Sequence, residues 1–228
     1  MRPALKRTGW IVGVGALAGA GYLGTTWSRY GRPSRWGTQD PQLDQFMPRY
    51  EVREVHETRV AAPANRVFAV AQELDMQQSP LVKAIFTGRE FLMGATAGRR
   101  QPQSFLSEVR ALGWRALFEE PGHHLIMGAV TQPWKADVHF RGLCPDEFLC
   151  FNEPGYAKIA WAIVAEPLSA TACVFRTETR VTTTDTESRR RFRRYWTLVS
   201  PGVLLIRREM LRLVRREAER RARSPRSS

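Results

Sequence analysis

The feature that most constrains the fold of this chain is an apolar stripe near its end. Apolar side chains recur there at alternating steps of four and three residues, at Phe192, Trp196, Val199, Val203, Ile206, Met210 and Leu213. This spacing places all of them on one face of an α-helix. Arginines crowd the other faces, with five of them between residues 189 and 194. A long basic helix with a continuous apolar face must bury that face against a sheet or a membrane.

The start and the continuity of this helix are also encoded locally. Thr184-Asp185-Thr186-Glu187 has the pattern of a capping box, which predicts that the helix begins there. Pro201-Gly202 interrupts the helical pattern, but the apolar stripe continues in phase beyond it. We therefore expect one long helix with a kink rather than two separate helices.

Segments typical of β-strands precede this helix. Alternation predicts a first strand over 50–60, which stops at Ala61-Ala62-Pro63, and two short helices follow, up to about residue 75 and over 79–86. Residues 87–104 match no pattern. Further strands are predicted at 112–120, 124–131, 136–141, 147–152, 156–165 and 171–182, the last two joined by a hairpin loop over 166–170. The order predicts an antiparallel sheet whose apolar face is covered by the last helix.

The charge is concentrated at the two ends of the chain. Residues 1–49 carry seven Lys and Arg against two acids, and residues 185–228 carry fourteen against five, whereas the middle has a net charge of −1. This placement predicts an anionic membrane surface as a partner for the ends. It predicts no nucleic acid partner, because that usually needs a basic face on the folded body as well.

The segment from Trp10 to Leu23 contains no charged residue and is flanked by basic residues and tryptophans. It predicts a hydrophobic N-terminal transmembrane helix within residues 1–27, and hence a single-pass membrane anchor on an unassigned side of the membrane. Glycine pairs in it permit a homodimer through this helix. Two alternatives stay open: a signal peptide cleaved near Ala18-Gly19-Ala20, which would give a secreted protein, and a glycine-rich tail. A linker over 28–49, a domain over 50–222 and a tail over 223–228 complete the organisation.

Two stretches resemble the helix-grip superfamily called START-like or SRPBCC, which includes polyketide cyclases. Residues 60–68 (VAAPANRVF) look like the first strand of that family running into its first helix. Residues 175–181 (FRTETRV), followed by 191–196 (RFRRYW), look like its last strand entering the closing helix. The resemblance implies an α+β helix-grip fold, a curved antiparallel sheet of about six to seven strands packed on the long C-terminal helix. It also implies the binding of an apolar small molecule such as a lipid, quinone or polyketide.

The predicted ligand-binding residues are large apolar side chains on the strands and on the helix stripe. They are Trp114, Met127, Trp134, Phe140, Trp161, Phe175, Trp196 and Val199. Glu54 and His56 share the mainly apolar face of the first strand, two residues and about 7 Å apart, and are the polar candidates. They would either orient a ligand hydroxyl or act as an acid and base pair.

Chemistry-bearing motifs are otherwise absent from the sequence. The three cysteines and the pair His123-His124 have no metal-ligand spacing, and no phosphate loop or nucleophile elbow occurs, so we expect no metal and no cofactor. The first functional hypothesis is a membrane-tethered, non-catalytic protein that binds a hydrophobic small molecule. The alternatives are a cyclase- or aromatase-like enzyme acting on a polyketide-type substrate, and an interaction scaffold that uses the arginine-rich helix.

Overall fold

The computed structural model describes residues 40–76, 79 and 104–224, together with the separate residues 21, 24, 25 and 30. In this part of the chain a short helix precedes the first strand, and the longest helix closes the fold. In chain order the elements are α1 (Pro41–Phe46), β1 (Val52–Val60), α2 (Ala64–Glu73), α3 (Phe105–Ala111), β2 (Arg115–Glu120), β3 (His124–Thr131), β4 (Phe140–Arg141), α4 (Pro145–Cys150), β5 (Ala157–Ser169), β6 (Ala172–Thr183) and α5 (Thr186–Arg223).

The six described strands form one antiparallel sheet. Their spatial order is β1-β6-β5-β3-β2, and the short β4 pairs with the end of β3. β5 and β6 form a long hairpin, whereas β1 and β6 pair although they lie near opposite ends of the domain. The curved sheet packed against a long C-terminal helix confirms the predicted helix-grip architecture and its α+β class.

Each face of the sheet is covered by helices. The inner face turns toward α2 and α5, and its core includes Met127, Phe175 and Met210. The outer face packs against α1 and α4 through a second apolar cluster that contains Leu43 and Phe148. Both faces are therefore buried over much of their area, unlike the half-exposed sheet that simple strand alternation suggests.

The closing helix α5 is a single helix of 38 residues with Pro201 inside it, so the prediction of one continuous helix is confirmed. Its N-cap is Asp185, whose side chain accepts the backbone N–H of Ser188 at 2.8 Å. The start is thus one residue later than a capping box beginning at Thr184 implies. Phe192, Trp196 and Met210 of the predicted stripe are buried.

One predicted strand is wrong. Residues 147–152 lie mainly in the helix α4 instead. Pro145 occupies the first turn of this helix, and the Glu147 carboxylate accepts the backbone N–H of Cys144 at 3.0 Å. Proline at the first turn and an acidic side chain three residues after the N-cap favour a helix start, and they outweigh the apolar residues that suggest a strand.

The predicted linker over 28–49 is corrected at its C-terminal end, because α1 lies within it. The Asp40 side chain caps this helix by accepting the backbone N–H groups of Gln42 and Leu43, each at 3.1 Å. Leu43 and Met47 are buried against the outer face of the sheet. The folded body therefore begins at about residue 40 rather than at residue 50.

Other boundaries differ from the predictions by smaller amounts. Over 136–141 only Phe140–Arg141 is strand, and β5 extends to Ser169, which shortens the predicted hairpin loop. The predicted second helix over 79–86 and the unassigned stretch over 87–104 lie almost entirely outside the described residues.

Within the residues that the structure describes, no helix is long and apolar enough to cross a bilayer. This finding contradicts the predicted single-pass anchor over 1–27, and the membrane localisation is corrected accordingly. The uncharged stretch from Trp10 to Trp27 is 18 residues long and contains five glycines and two threonines, so it lies at the lower limit of what a span needs. Of residues 1–27 only 21, 24 and 25 are described, so the predicted signal peptide and dimer contact lie outside the described residues.

A buried ionic network lies on the outer face between the sheet and α1. The Glu178 carboxylate accepts hydrogen bonds from Arg53 Nε at 2.8 Å and from Arg180 Nε at 2.7 Å. Arg180 also donates to Asp44 of α1 at 2.5 Å and stacks over the Tyr50 ring. Buried charges of this kind are tolerated only when they are paired, so the network fixes α1 to the sheet.

Candidate ligand-binding site

Polar side chains from three elements meet on the inner face of the sheet. Glu54 and His56 of β1 lie opposite Thr179 and Thr177 of β6 in the strand register. From α5, Arg207 donates through Nη1 to the Thr177 hydroxyl at 2.7 Å and through Nη2 to the Thr179 hydroxyl. These five residues are called the inner polar cluster below.

Apolar residues border the inner polar cluster at both ends of the same elements. Toward the start of α5 the neighbours are Val52, Val181 and Trp196, which belong to one apolar cluster. Toward the end of α5 they are residues of the main core, such as Phe175 and Met210. Along β1, β6 and α5, the inward-facing residues are thus apolar at both ends and polar in between. The polar segments lie side by side, which places charged groups inside an otherwise apolar layer.

Burial in this layer shifts the pKa values of three ionisable groups in the cluster. Burial raises the pKa of the Glu54 carboxyl, and the nearby Arg207 charge opposes that rise. Burial lowers the pKa of His56 to about 4, and the positive charges of Arg207 and Arg208 lower it further. Burial also lowers the pKa of Arg207 to about 10, against the opposing effect of Glu54. At neutral pH the His56 ring is therefore uncharged and Arg207 still carries its positive charge.

Two nitrogen atoms of the cluster have unused hydrogen-bonding capacity. His56 Nδ1 and Arg207 Nε are buried, and neither has a hydrogen-bond partner in the described part of the chain. Buried polar atoms in proteins are nearly always hydrogen-bonded, so these two nitrogens are the atoms of the cluster that can bind a further polar group. Glu54 and His56, the two polar candidates predicted from the sequence, lie together at this point.

Several of the predicted ligand-binding residues form an aromatic group beside the cluster. Trp161 lies on β5 and is the register partner of Thr179 on β6. The centroid of the Trp161 ring lies 6.2 Å from that of Trp114. Trp114 in turn lies 5.0 Å from Phe140, and Phe105 of α3 lies 5.6 Å from Trp161. Trp114 and Phe140 stay half-buried. The inner face therefore has a polar end on β1 and β6, and an aromatic end formed by β5, β4 and the residue that precedes β2.

The remaining predicted residues divide between two parts of the same layer. Met127 and Phe175 are fully buried in the main core. Trp134 and Trp196 belong to the apolar cluster at the start of α5, where Trp196 stacks on Phe192 with 5.9 Å between the ring centroids. Val199 follows on the same helix and is half-buried. The structure brings these residues to one face of the sheet but not to one point, and their contact with a ligand stays a prediction.

Sequence reasoning missed Arg207, Thr177, Thr179 and Phe105. Arg207 lies in a run of arginines that reads as solvent-exposed, although it follows Val203 by four residues and precedes Met210 by three, which is stripe spacing. That spacing is the signal that could have placed it on the buried side. The two threonines alternate with charged residues on β6, so the alternation gave no sign that both faces are buried.

The described residues contain no group of three His, Cys, Asp or Glu side chains that could hold a metal ion. The adjacent histidines have other contacts: His123 Nδ1 lies 2.8 Å from the Ala165 carbonyl oxygen, and His124 Nε2 lies 3.1 Å from Asp40 Oδ2. The Asp40 carboxyl is buried, which alone would raise its pKa. The contacts with His124 and with the Leu43 N–H hold the pKa below its usual range. The contact between His124 and Asp40 attaches the start of α1 to the outer face, on the opposite side of the sheet from the inner polar cluster.

Comparison with known proteins gives structural neighbours only. No family model and no curated protein matches the chain. A hypothetical protein from Helicobacter pylori is 10% identical with a TM-score of 0.38, over 82% of this chain and 98% of that one. The di-domain aromatase/cyclase BexL is 13% identical with a TM-score of 0.32, over 74% of this chain and 46% of that one. A norcoclaurine synthase from Thalictrum flavum is 13% identical with a TM-score of 0.32, over 73% and 96%.

All three TM-scores lie below 0.5, so these likenesses carry no argument about the fold or the activity of this chain. The order and packing of the elements themselves confirm the fold: a first strand leading into a helix, an antiparallel sheet, and a last strand entering the closing helix. The chain therefore has a helix-grip architecture, in which an antiparallel sheet packs against one long C-terminal helix.

Proposed function

We propose that this protein binds an amphipathic small molecule between the sheet and α5. The observation that carries the proposal is the inner polar cluster, in which a buried guanidinium and a neutral imidazole each have an unused nitrogen inside an apolar layer. A ligand with one polar end and an apolar ring system or chain matches this arrangement. Binding sites for small molecules are usually apolar with a few converging polar groups, as here.

The chemistry of the cluster restricts the polar end of the ligand. Arg207 offers a charged N–H donor, and neutral His56 offers one donor or acceptor nitrogen. A carbonyl, phenol or acidic oxygen would satisfy both, whereas a cationic group would be repelled by Arg207 and Arg208. The apolar part would lie toward Trp161 and Trp114, where transfer from water contributes about 25 cal/mol for each Å² buried.

A fluorescent probe tests this proposal with the full chain. The dye 1-anilinonaphthalene-8-sulfonate combines an aromatic body with an anionic oxygen group, so we expect one binding site per chain. Because charge-assisted hydrogen bonds contribute about 1.5–3 kcal/mol, Arg207→Gln should weaken binding by about 10- to 100-fold. The matched control is Arg208→Gln, which removes the same charge from an exposed neighbouring position.

The proposal fails if Arg207→Gln and the wild type bind the dye equally, or if Arg208→Gln is affected as strongly as Arg207→Gln. Circular dichroism should show that both variants keep the native fold. Native mass spectrometry of the full chain, followed by organic extraction, then identifies any molecule that co-purifies.

An enzyme of the cyclase or aromatase kind is the second candidate function. The observation that favours it is the neutral His56, whose buried Nδ1 is unpaired and is therefore available to hydrogen-bond and orient a bound substrate. With a polyketide-type substrate, His56→Ala should abolish turnover while weakening dye binding less than Arg207→Gln does. Turnover by His56→Ala at the wild-type rate would exclude this role.

A further inference from the structure

The outward face of α5 carries an unusual combination of arginines and exposed leucines. Five residues lie on one face of the helix, on the side opposite the buried stripe, because they are separated by steps of four, four, seven and three positions. They are Arg190, Arg194, Leu198, Leu205 and Arg208. All five are exposed, and Leu198 and Leu205 keep 70% and 45% of their accessible surface. Together they form a strip about 27 Å long, with the leucines in the middle and arginines at both ends. This set of five residues is called the outward strip below.

Charge distribution along α5 separates the outward strip from the rest of the helix. Between residues 188 and 208 the sequence contains seven arginines and no acidic residue. Nearer the C-terminus several exposed arginines are paired, among them Arg215 with Glu219 at 3.1 Å and Arg220 with Glu217 at 2.6 Å. Pairs of this kind stabilise a solvent-exposed helix and need no further partner. The three arginines of the outward strip form no ion pair with any described residue.

We propose that the outward strip docks on the surface of a bilayer that contains anionic lipids. The arginines would lie at the lipid phosphates, and Leu198 and Leu205 would enter the boundary between headgroups and acyl chains. Interfacial helices combine basic and apolar residues in this way. A nucleic acid would leave the two leucines in water, since single strands are bound through aromatic side chains rather than leucines. This contact lies along the surface and involves no membrane-spanning segment.

Vesicle co-sedimentation of the full chain tests the proposal. The vesicles are phosphatidylcholine alone, or phosphatidylcholine with 30% phosphatidylserine, at about 100 mM salt. Each basic side chain near such a surface contributes about fivefold to binding, so Arg190→Gln/Arg194→Gln should weaken binding to the anionic vesicles about 25-fold. The matched control, Arg215→Gln/Arg220→Gln, removes the same charge from paired arginines and should lose only a few-fold. Leu198→Gln/Leu205→Gln keeps every charge and should weaken binding several-fold.

Three outcomes would overturn the proposal. The first is equal binding by the Arg190/Arg194 variant and its control, which would show that net charge alone determines binding. The second is a pair of results: the leucine variant binds the vesicles as strongly as the wild type, and the wild type binds double-stranded DNA strongly whereas the Arg190/Arg194 variant does not. The third is the absence of wild-type binding to the anionic vesicles. Dye binding at the inner polar cluster should be unchanged in all these variants, so failure here is distinguishable from failure of the proposed ligand binding.

Discussion

Replacing His56 by glutamine should change how the stability of the protein depends on pH. The imidazole of His56 lies among Glu54, Arg207 and apolar neighbours, and its pKa is lowered to about 4. In the unfolded chain the ring regains its ordinary pKa of about 6.5. Between these two values the unfolded state binds a proton that the native state does not. The free energy of unfolding should therefore fall as the pH decreases from about 6.5 to about 4.

The size of this effect follows from the two pKa values. Their difference corresponds to about 3 kcal/mol at most, because one pKa unit is about 1.4 kcal/mol. The ring is half-buried, so partial access of water should reduce the loss to about 1–2 kcal/mol. Glu54 has a raised pKa and contributes with the opposite sign. Glu54 is present in both proteins, so its contribution largely cancels in the comparison.

Urea unfolding of the full chain, followed by tryptophan fluorescence at pH 7 and pH 4.5, measures the effect. The wild type should lose about 1–2 kcal/mol more than His56→Gln between these two pH values. The control is His139→Gln, which makes the same replacement at an exposed position outside the inner polar cluster. Identical pH dependence of the wild type and His56→Gln would show that the ring is solvated in the native state, which would refute the reasoning.

Three further predictions concern stability. Glu178→Gln removes a buried carboxylate held between two buried guanidinium groups, so urea unfolding should show a loss of about 3–5 kcal/mol. Gly113→Ala places a side chain where φ is +98° and where a Cβ would lie 2.2 Å from the Phe140 carbonyl oxygen. Its unfolding free energy should fall by more than the usual 1 kcal/mol of a glycine replacement, whereas unchanged stability would show that the loop shifts freely. Asp185→Ala removes the acceptor for the Ser188 N–H and should lower the melting temperature, while Asp185→Asn, which keeps a capping oxygen, should stay close to the wild type.

The closing helix is the part of the fold that the sequence predicts best, although the predicted buried positions differ from the observed ones toward its C-terminus. Phe192, Trp196 and Met210 are buried as the stripe predicts, because one amphipathic face has one consistent way to pack. Toward the C-terminus burial moves to Leu211 and Val214. A straight helix with 3.6 residues per turn drifts away from a seven-residue repeat, which accounts for this rotation of the buried face.

The candidate site was only partly predictable, because sequence alternation divides a strand into two faces without showing what covers each. Glu54 and His56 were identified from an apolar face. Arg207, however, shares its residue type with many exposed arginines of the same helix. Its spacing from Val203 and Met210 indicates the buried side, but only the structure shows its contact with two threonines. On β6 the charged Arg180 is fully buried because α1 covers the outer face. No pattern in the sequence around Arg180 predicts its contact with Asp44 of α1.

The pairing of β1 with β6 has a consequence for how the protein becomes functional during synthesis. Val52 pairs with Val181, and Val60 pairs with Cys173, so every contact of this ladder joins positions more than 110 residues apart. Contacts of such long range form late, because a large loop must close before they contribute stability. Glu54 and His56 emerge early from the ribosome, but Thr177, Thr179 and Arg207 complete the inner polar cluster only when the last strand and α5 have been made. A nascent chain, or one truncated before β6, would thus contain Glu54 and His56 without Arg207. Ligand binding at the inner polar cluster would therefore indicate that β1, β6 and α5 have all assembled.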